Sequence, residues 1–127
     1  MLNCVHHIAI ICSNYNKSKR FYTEILGMKI INETYRKDRL SYKLDLLVPG
    51  GVQIELFTFP ESPSRASYPE ACGLRHLAFT VNDIESCKLR LESKGILVQE
   101  VRSDPITKKK FMFLSDPDGL PIELYEK

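Results

Sequence analysis

Hydrophobic and polar positions in the first half of the chain predict a strand, a helix and three further strands. The run 5–12 is apolar and rich in β-branched residues, as in a buried strand. Asn14 then offers a helix N-cap, and Gly27 ends the helix. In the stretch 41–46, Ser41, Lys43 and Asp45 alternate with apolar residues and are expected on a solvent-facing side. The three further strands are predicted over 28–35, 41–46 and 52–59.

The same order of elements returns in the second half. A strand is predicted over 74–82, and Asp83 caps a helix that ends at Gly95. The apolar face of this helix holds Ile84, Cys87 and Leu91, with Leu89 at its margin. Three more strands are predicted over 96–102, 111–114 and 121–125.

The two halves also share individual residues at fixed offsets of 68 or 69 positions. Such an internal repeat indicates two copies of one structural unit. The matched pairs are His7 with His76, Pro49 with Pro117, Ile54 with Ile122, and Glu55 with Glu123.

These patterns predict an α+β fold built from two paired βαβββ modules in one domain over 1–127. The modules are expected at 1–60 and 74–127, joined by a loop over 60–73 that contains three prolines. A chain of 127 residues is too short for two ordinary domains.

Charge and cysteine content narrow the class of protein. Eighteen Lys and Arg against 16 Asp and Glu give a net charge of +2, which gives no case for nucleic acid as a partner. The four cysteines are widely spaced and read as reduced thiols of a cytoplasmic protein. No signal peptide or membrane span is predicted, so we expect no membrane partner.

The repeat duplicates two polar residues within apolar runs. His7 and His76 lie in the first strand of each module, and Glu55 and Glu123 lie in the last. Any one of them alone is more simply a surface or satisfied residue. Their joint repetition, however, has no structural reason, and two imidazoles with two carboxylates suit one divalent ion. The sequence therefore predicts a four-ligand metal site.

Other polar residues are given ordinary roles. His6 lies on the opposite face of the strand from His7, and the corresponding residue of the second half is Arg75. His6 is therefore not counted as a ligand. Several cations could contact a substrate carboxylate, but each is more simply a solvated charge. They are Arg36, Arg39, Arg75 and Lys108 to Lys110.

Four stretches of the chain resemble the vicinal oxygen chelate superfamily, and within it the glyoxalase I-like proteins. The similarity extends to a small bacterial subgroup described as lactoylglutathione lyase-like. It implies the glyoxalase/bleomycin resistance/dihydroxybiphenyl dioxygenase fold. The stretches are VHHIAI at 5–10, SKRFYTEILGM at 18–28, GLRHLAF at 73–79 and DPDGLPIEL at 116–124.

The resemblance implies a metal-dependent lyase or isomerase that acts on a hemithioacetal or related substrate with vicinal oxygens, through an ene-diolate. His7, Glu55, His76 and Glu123 match the metal ligands. Glu123 is then the catalytic base, and Glu55 its catalytic counterpart. The expected cofactor is one divalent ion, with Zn or Ni ahead of Co, Mn and Fe. The family also implies a homodimer and a small-molecule substrate such as a thiol adduct.

Several alternatives stay open at this stage. The same scaffold supports an epimerase, a non-haem iron ring-cleaving dioxygenase, or a metal-free binding protein of the bleomycin-resistance kind. Relatives that lack the first Glu include extradiol dioxygenases and fosfomycin thiol transferases, so Glu55 favours the glyoxalase type. The sequence does not choose the thiol, the metal, the acting Glu, or whether one chain or two form the site.

Overall fold

The structure is a computed structural model that describes all 127 residues, Met1 to Lys127. The chain divides into two compact units, Met1–Ser64 and Arg65–Lys127. Each unit contains one four-stranded mixed sheet. Together the two sheets and the few helices confirm the predicted α+β fold class with two βαβββ modules.

In unit 1 the first strand pairs with the last. The sheet order is β1-β4-β3-β2, with β1 parallel to β4 and the remaining pairs antiparallel. A turn of π-helix at Phe21–Ile25 extends α1, and a 3-10 turn at Lys37–Arg39 joins β2 to β3. The elements are β1 (His7–Ile11), α1 (Tyr15–Arg20), β2 (Lys29–Arg36), β3 (Ser41–Leu47) and β4 (Gln53–Phe57).

Unit 2 repeats this topology. Its sheet order is β5-β8-β7-β6, again with the first strand parallel to the last. The elements are β5 (Leu77–Val81), α2 (Ile84–Ser93), β6 (Arg102–Ser103), β7 (Lys110–Ser115) and β8 (Pro121–Glu126).

Both helices begin and end where the sequence predicted. The Asn14 side chain accepts a hydrogen bond from the Lys17 amide, and the Asp83 side chain accepts one from the Ser86 amide. Gly27 lies beyond the first helix in the left-handed region, at φ +79°, where a β-carbon is disfavoured. None of the helices is long and apolar enough to cross a membrane.

Strand alternation gives each sheet one buried face. Leu44 and Leu46 on β3 and Ile54 and Leu56 on β4 are fully buried. In unit 2, β7 and β8 bury their corresponding positions, which are Met112, Leu114, Ile122 and Leu124. Because each such side chain contributes roughly 1.5–3 kcal/mol, the register of these strands is strongly fixed. The residues between them therefore point to the opposite face.

The structure corrects two details of the sequence prediction. The strand expected over 96–102 shrinks to Arg102–Ser103, with a single bridge between Val98 and Leu114. Leu97 is 90% exposed, so its hydrophobicity did not report burial. Leu89 is 69% exposed and lies outside the buried face of α2, which uses Ile84 and Leu91.

Candidate metal centre

In unit 1, the parallel pairing of β1 and β4 brings His7 and Glu55 together. Ala9 lies opposite Glu55 in the register, and His7 lies two residues earlier on the same face. The His7 Nε2 atom is 3.7 Å from Glu55 Oε2.

Unit 2 builds the same arrangement from β5 and β8. Ala78 lies opposite Glu123, and His76 lies two residues earlier, just before the first residue of β5. The His76 Nε2 atom is 3.0 Å from Glu123 Oε2. The repeat of the sequence is thus a repeat of side-chain geometry, with one His–Glu pair in each unit.

The exposure of these side chains suits ligands. The side chains of Glu55 and Glu123 are 13% and 14% exposed, while those of His7 and His76 are 44% and 36% exposed. Carboxylates so far withdrawn from water require a partner. The imidazoles remain open enough for an incoming ion to reach them.

The donor set fits a divalent transition metal. Imidazole nitrogen and carboxylate oxygen are ligands for Zn, Ni, Co, Mn and Fe. Two ligands bound at a right angle, each at about 2.1 Å, lie about 3 Å apart. The His76–Glu123 pair has this spacing, at 3.0 Å, and the His7–Glu55 pair is wider, at 3.7 Å. No group of three or more His, Cys, Asp or Glu side chains gathers to hold an ion, so the four-ligand set stays a prediction.

Unit 1 surrounds its pair with charge. Asp45 on β3 is the register partner of Glu55 on β4, and Lys43 lies two residues from Asp45 on the same face. The Lys43 Nζ atom is 3.0 Å from Asp45 Oδ1 and 3.3 Å from Glu55 Oε1. The hydrogen bond to Asp45, and next that to Glu55, raises the pKa of Lys43. Lys43 therefore stays a cation between two carboxylates.

Unit 2 surrounds its pair with aromatic rings instead. Phe113 on β7 is the register partner of Glu123. Its ring meets the His76 ring edge to face, with centroids 5.2 Å apart. Phe111 lies two residues before Phe113 on the same face of β7, and the centroids of the two rings are 6.1 Å apart. The two pairs therefore share their ligand atoms but differ in their surroundings.

A hydrogen-bonded loop is attached to the strand that carries Glu123. Tyr125 lies on the same face as Glu123, and its hydroxyl donates to Asp104 Oδ2 at 3.1 Å. The same hydroxyl also contacts Thr107 Oγ1. Asp104 Oδ1 accepts from the amides of Ile106 and Thr107, which closes the turn between β6 and β7.

His6 contacts the predicted ligand without sharing its partner. Its Nδ1 atom is 2.9 Å from Nδ1 of His7, and the rings meet edge to face. One of these nitrogens donates and the other accepts, depending on the tautomers. The contact leaves Nε2 of His7 directed to Glu55. His6 thus orients the ring of His7 from the side away from the carboxylate.

Three of the candidate cations are already engaged by local partners. Arg36 donates to the Ser41 hydroxyl oxygen at 2.7 Å, and its guanidinium lies over the Phe57 ring. Arg75 donates to the Ser67 carbonyl and the Tyr68 hydroxyl, and it pairs with Glu70 at 3.8 Å. Lys110 pairs with Glu85 on α2 at 2.9 Å. These contacts agree with the ordinary roles assigned to them from the sequence.

Sequence reasoning missed Lys43 and Asp45 as part of the site. Both were assigned, with Ser41, to a solvent-facing side. That prediction is wrong for Ser41, which is fully buried, and the side chains of Lys43 and Asp45 are only 30% and 13% exposed. Strand parity shows that Lys43 and Asp45 share one face of β3. That this face also carries Glu55 follows only once β3 is known to pair with β4. The one available signal was the repeat itself, which sets Asp45 against Phe113 and Lys43 against Phe111.

Comparison with known proteins identifies a family over nearly the whole chain. Residues 5–124 match the Glyoxalase/Bleomycin resistance protein/Dioxygenase superfamily. The uncharacterised protein YwkD of Bacillus subtilis is 55% identical over 127 residues, which cover 100% of this chain and 99% of YwkD. The glyoxalase family protein from Enterococcus faecalis has a similar structure, with a TM-score of 0.89, 47% identity and 96% coverage of both chains.

Relatives named for an activity are more distant. The metallothiol transferase FosB of Staphylococcus epidermidis is 32% identical over 130 residues, covering 98% of this chain and 84% of FosB. The lactoylglutathione lyase of Schizosaccharomyces pombe is 32% identical over 142 residues, covering 94% of this chain but only 46% of that protein.

Proposed function

Because the chain belongs to the Glyoxalase/Bleomycin resistance protein/Dioxygenase superfamily, we propose that it is a metal-dependent lyase or isomerase of the glyoxalase I type. The proposed substrate is a hemithioacetal or a related compound with two vicinal oxygens. One observation carries the proposal: in both units a His at the start of the first strand, or just before it, pairs with a Glu on the last strand.

We propose His7, Glu55, His76 and Glu123 as the ligands of one divalent ion, with Zn or Ni first. When bound, such an ion supplies Lewis acidity towards the two substrate oxygens. The ligand set is supported by the donor chemistry, by the 3.0 Å spacing of His76 and Glu123 and by the two withdrawn carboxylates. Glu55 favours this activity over fosfomycin thiol transfer, because the family resemblance implies a set of two His and one Glu in such transferases.

Glu123 is the proposed catalytic base. One of its carboxylate oxygens takes the proton from the carbon of the substrate that bears the sulfur, and returns it to the neighbouring carbonyl carbon. The second oxygen is free to keep its contact with His76 meanwhile. The reaction is a 1,2 proton shift, so no atom or electron is gained or lost. Phe113 is the register partner of Glu123, whose side chain is only 14% exposed, so water screens the interactions of this carboxylate little.

A thiol transferase is the second candidate, favoured by the similarity to FosB over 98% of this chain. The two activities share a metal and a thiol but differ in the electrophile. A transferase adds the thiol to an epoxide, whereas the isomerase rearranges the adduct of a thiol with a ketoaldehyde. The same purified protein can be tested for both.

We further propose that the protein is a homodimer, as superfamily members often are. Exposed apolar side chains on β2, including Ile30 and Ile31 at 47% and 50% exposure, are compatible with a second copy. We also propose a cytoplasmic location, as expected from the sequence. Light scattering on the purified protein measures the oligomeric state directly.

The deciding experiment is an assay with methylglyoxal and a panel of thiols, on protein loaded with Ni, Zn, Co, Mn or Fe. Formation of the thioester supports the proposal if at least one metal restores activity to stripped protein. Turnover of an epoxide with the same thiols, without thioester formation, would replace it with the transferase. Neither product with any metal would contradict both candidates.

A further inference from the structure

The repeat breaks at the positions that face the first Glu. Asp45 and Lys43 in unit 1 take the places that Phe113 and Phe111 take in unit 2, and the strand register is the same. Two phenylalanines are therefore sufficient to build this face of the sheet. The fold therefore does not require charged residues at these two positions, so Asp45 and Lys43 have a role other than building the sheet.

The charges of unit 1 form a closed triad. Asp45 and Glu55 are directly opposite each other across an antiparallel pair, where like charges destabilise a sheet. Lys43 relieves this repulsion, because its ammonium reaches both carboxylates, at 3.0 and 3.3 Å. The carboxylates are each 13% exposed, so water screens this interaction less than at an open surface.

Lys43 and His7 contact different oxygens of the same carboxylate. The ammonium is near Oε1 of Glu55, while the imidazole is near Oε2. A cation between two carboxylates partly neutralises their negative charge, and this weakens their attraction for a divalent ion. In unit 2 no lysine or arginine forms an ion pair with Glu123, whose ion-pair partner is His76.

We propose that Lys43 is a positioning residue that competes with the divalent ion for the Glu55 carboxylate, and that Asp45 holds Lys43 in that place. This inference rests on the proposed metal site. Glu55 is then the weakest of the four ligands, and the ion is bound less tightly than the donor set alone would allow. A weak bond to one carboxylate leaves that group free to exchange during turnover.

Metal affinity tests the inference apart from activity. Isothermal titration of stripped protein with Ni²⁺ or Zn²⁺ is compared between the wild type and Lys43→Met. Removing the competing cation is expected to raise the association constant about tenfold, because a charge within a few ångströms of the site acts through a low effective dielectric. Lys43→Arg keeps the charge and is expected to stay within about threefold of the wild type.

A matched control is available in the same unit. Lys19 also pairs with a single carboxylate, that of Glu33 at 2.6 Å, but it contacts neither Glu55 nor His7. Lys19→Met removes one positive charge from unit 1 and is expected to leave metal affinity unchanged. A rise in both lysine variants would show a general charge effect and would overturn the specific role of Lys43.

Replacing Asp45, which pairs with Lys43, is expected to change metal affinity in the opposite direction. In Asp45→Asn the ammonium of Lys43 has only Glu55 to bind, so metal affinity is expected to fall by about tenfold. A merely structural triad would lower the melting temperature of the stripped protein in both variants and would not move metal affinity in opposite directions. Thermal melts of the stripped variants establish that each one is folded.

Two outcomes separate this inference from the proposed metal site. Unchanged or weaker binding in a folded Lys43→Met variant overturns the competition, provided that the wild type binds. No binding by the wild type, or binding that survives both His7→Ala and His76→Ala, overturns the proposed site itself.

Discussion

Glu123 and Ile122 are consecutive residues of β8 that face opposite sides of one sheet. Ile122 is fully buried, whereas Glu123 stands beside His76 with Oε2 3.0 Å from Nε2. A strand alternates its side chains, so one position serves the core and the next serves the site. Activity and stability can therefore be separated by neighbouring substitutions.

The first prediction uses this neighbouring pair. Glu123→Gln keeps the side-chain shape but removes the proton acceptor, so kcat is expected to fall by about 100-fold or more. Its urea unfolding midpoint should stay close to that of the wild type. Ile122→Ala should instead cost about 2–5 kcal/mol of unfolding free energy through lost burial and a cavity. Full activity in a folded Glu123→Gln protein would refute the assigned base.

The second prediction concerns the thermal response to metal. An ion present at a hundred times its Kd stabilises the folded state by about 2.7 kcal/mol, which differential scanning calorimetry detects as a higher Tm. His7→Ala should lose most of this gain, because Nε2 of His7 faces Glu55. His6→Ala should keep most of it, since the nitrogen contact of His6 is with Nδ1 of His7 and leaves Nε2 open. Equal losses in the two variants would contradict the assignment of the ligand.

The third prediction concerns acid stability in unit 1. The hydrogen bond from Lys19, and next that from Tyr15, lowers the pKa of Glu33. The unfolded chain then binds more protons than the folded one, so this contribution is complete above the ordinary Glu pKa of about 4.3 and is lost as pH falls.

Urea unfolding between pH 3 and 7 checks this expectation. Glu33→Gln should be less stable than the wild type near neutral pH, and the difference should shrink towards pH 3. Lys19→Met should weaken the same pH dependence, because it removes the first donor to Glu33. A difference that does not vary with pH would show that Glu33 acts through packing alone.

The fourth prediction compares two aromatic residues of β7. Phe113→Ala removes the ring that packs edge to face on His76, and should lower both stability and metal affinity. Phe111→Ala removes a ring stacked 6.4 Å from Tyr125 and should lower stability alone. Both side chains are half-buried, so each loss of unfolding free energy is about 2 kcal/mol. Matched metal affinity in the two variants would show that Phe113 does not position His76.

The repeat in the sequence was sufficient to predict the fold class and to select His7, Glu55, His76 and Glu123. Strand alternation and helix capping are local rules, so Asn14, Asp83 and the buried positions of β4 and β8 follow from spacing alone. The prediction of a strand over 96–102 was wrong because these local rules do not show what packs against a segment. Leu97 is apolar, yet it is 90% exposed, because no neighbouring strand or helix covers it.

The roles of Lys43 and Asp45 were decided by the tertiary structure. A two-residue period shows which residues share a face of a strand, but it carries no information about which strand pairs alongside or in what register. Only the pairing of β3 with β4 sets Asp45 opposite Glu55 and brings the Lys43 ammonium between them. The sequence by itself therefore determined the fold and the four candidate ligands, whereas the charge around Glu55 and the rings around Glu123 depend on contacts between strands distant in the chain.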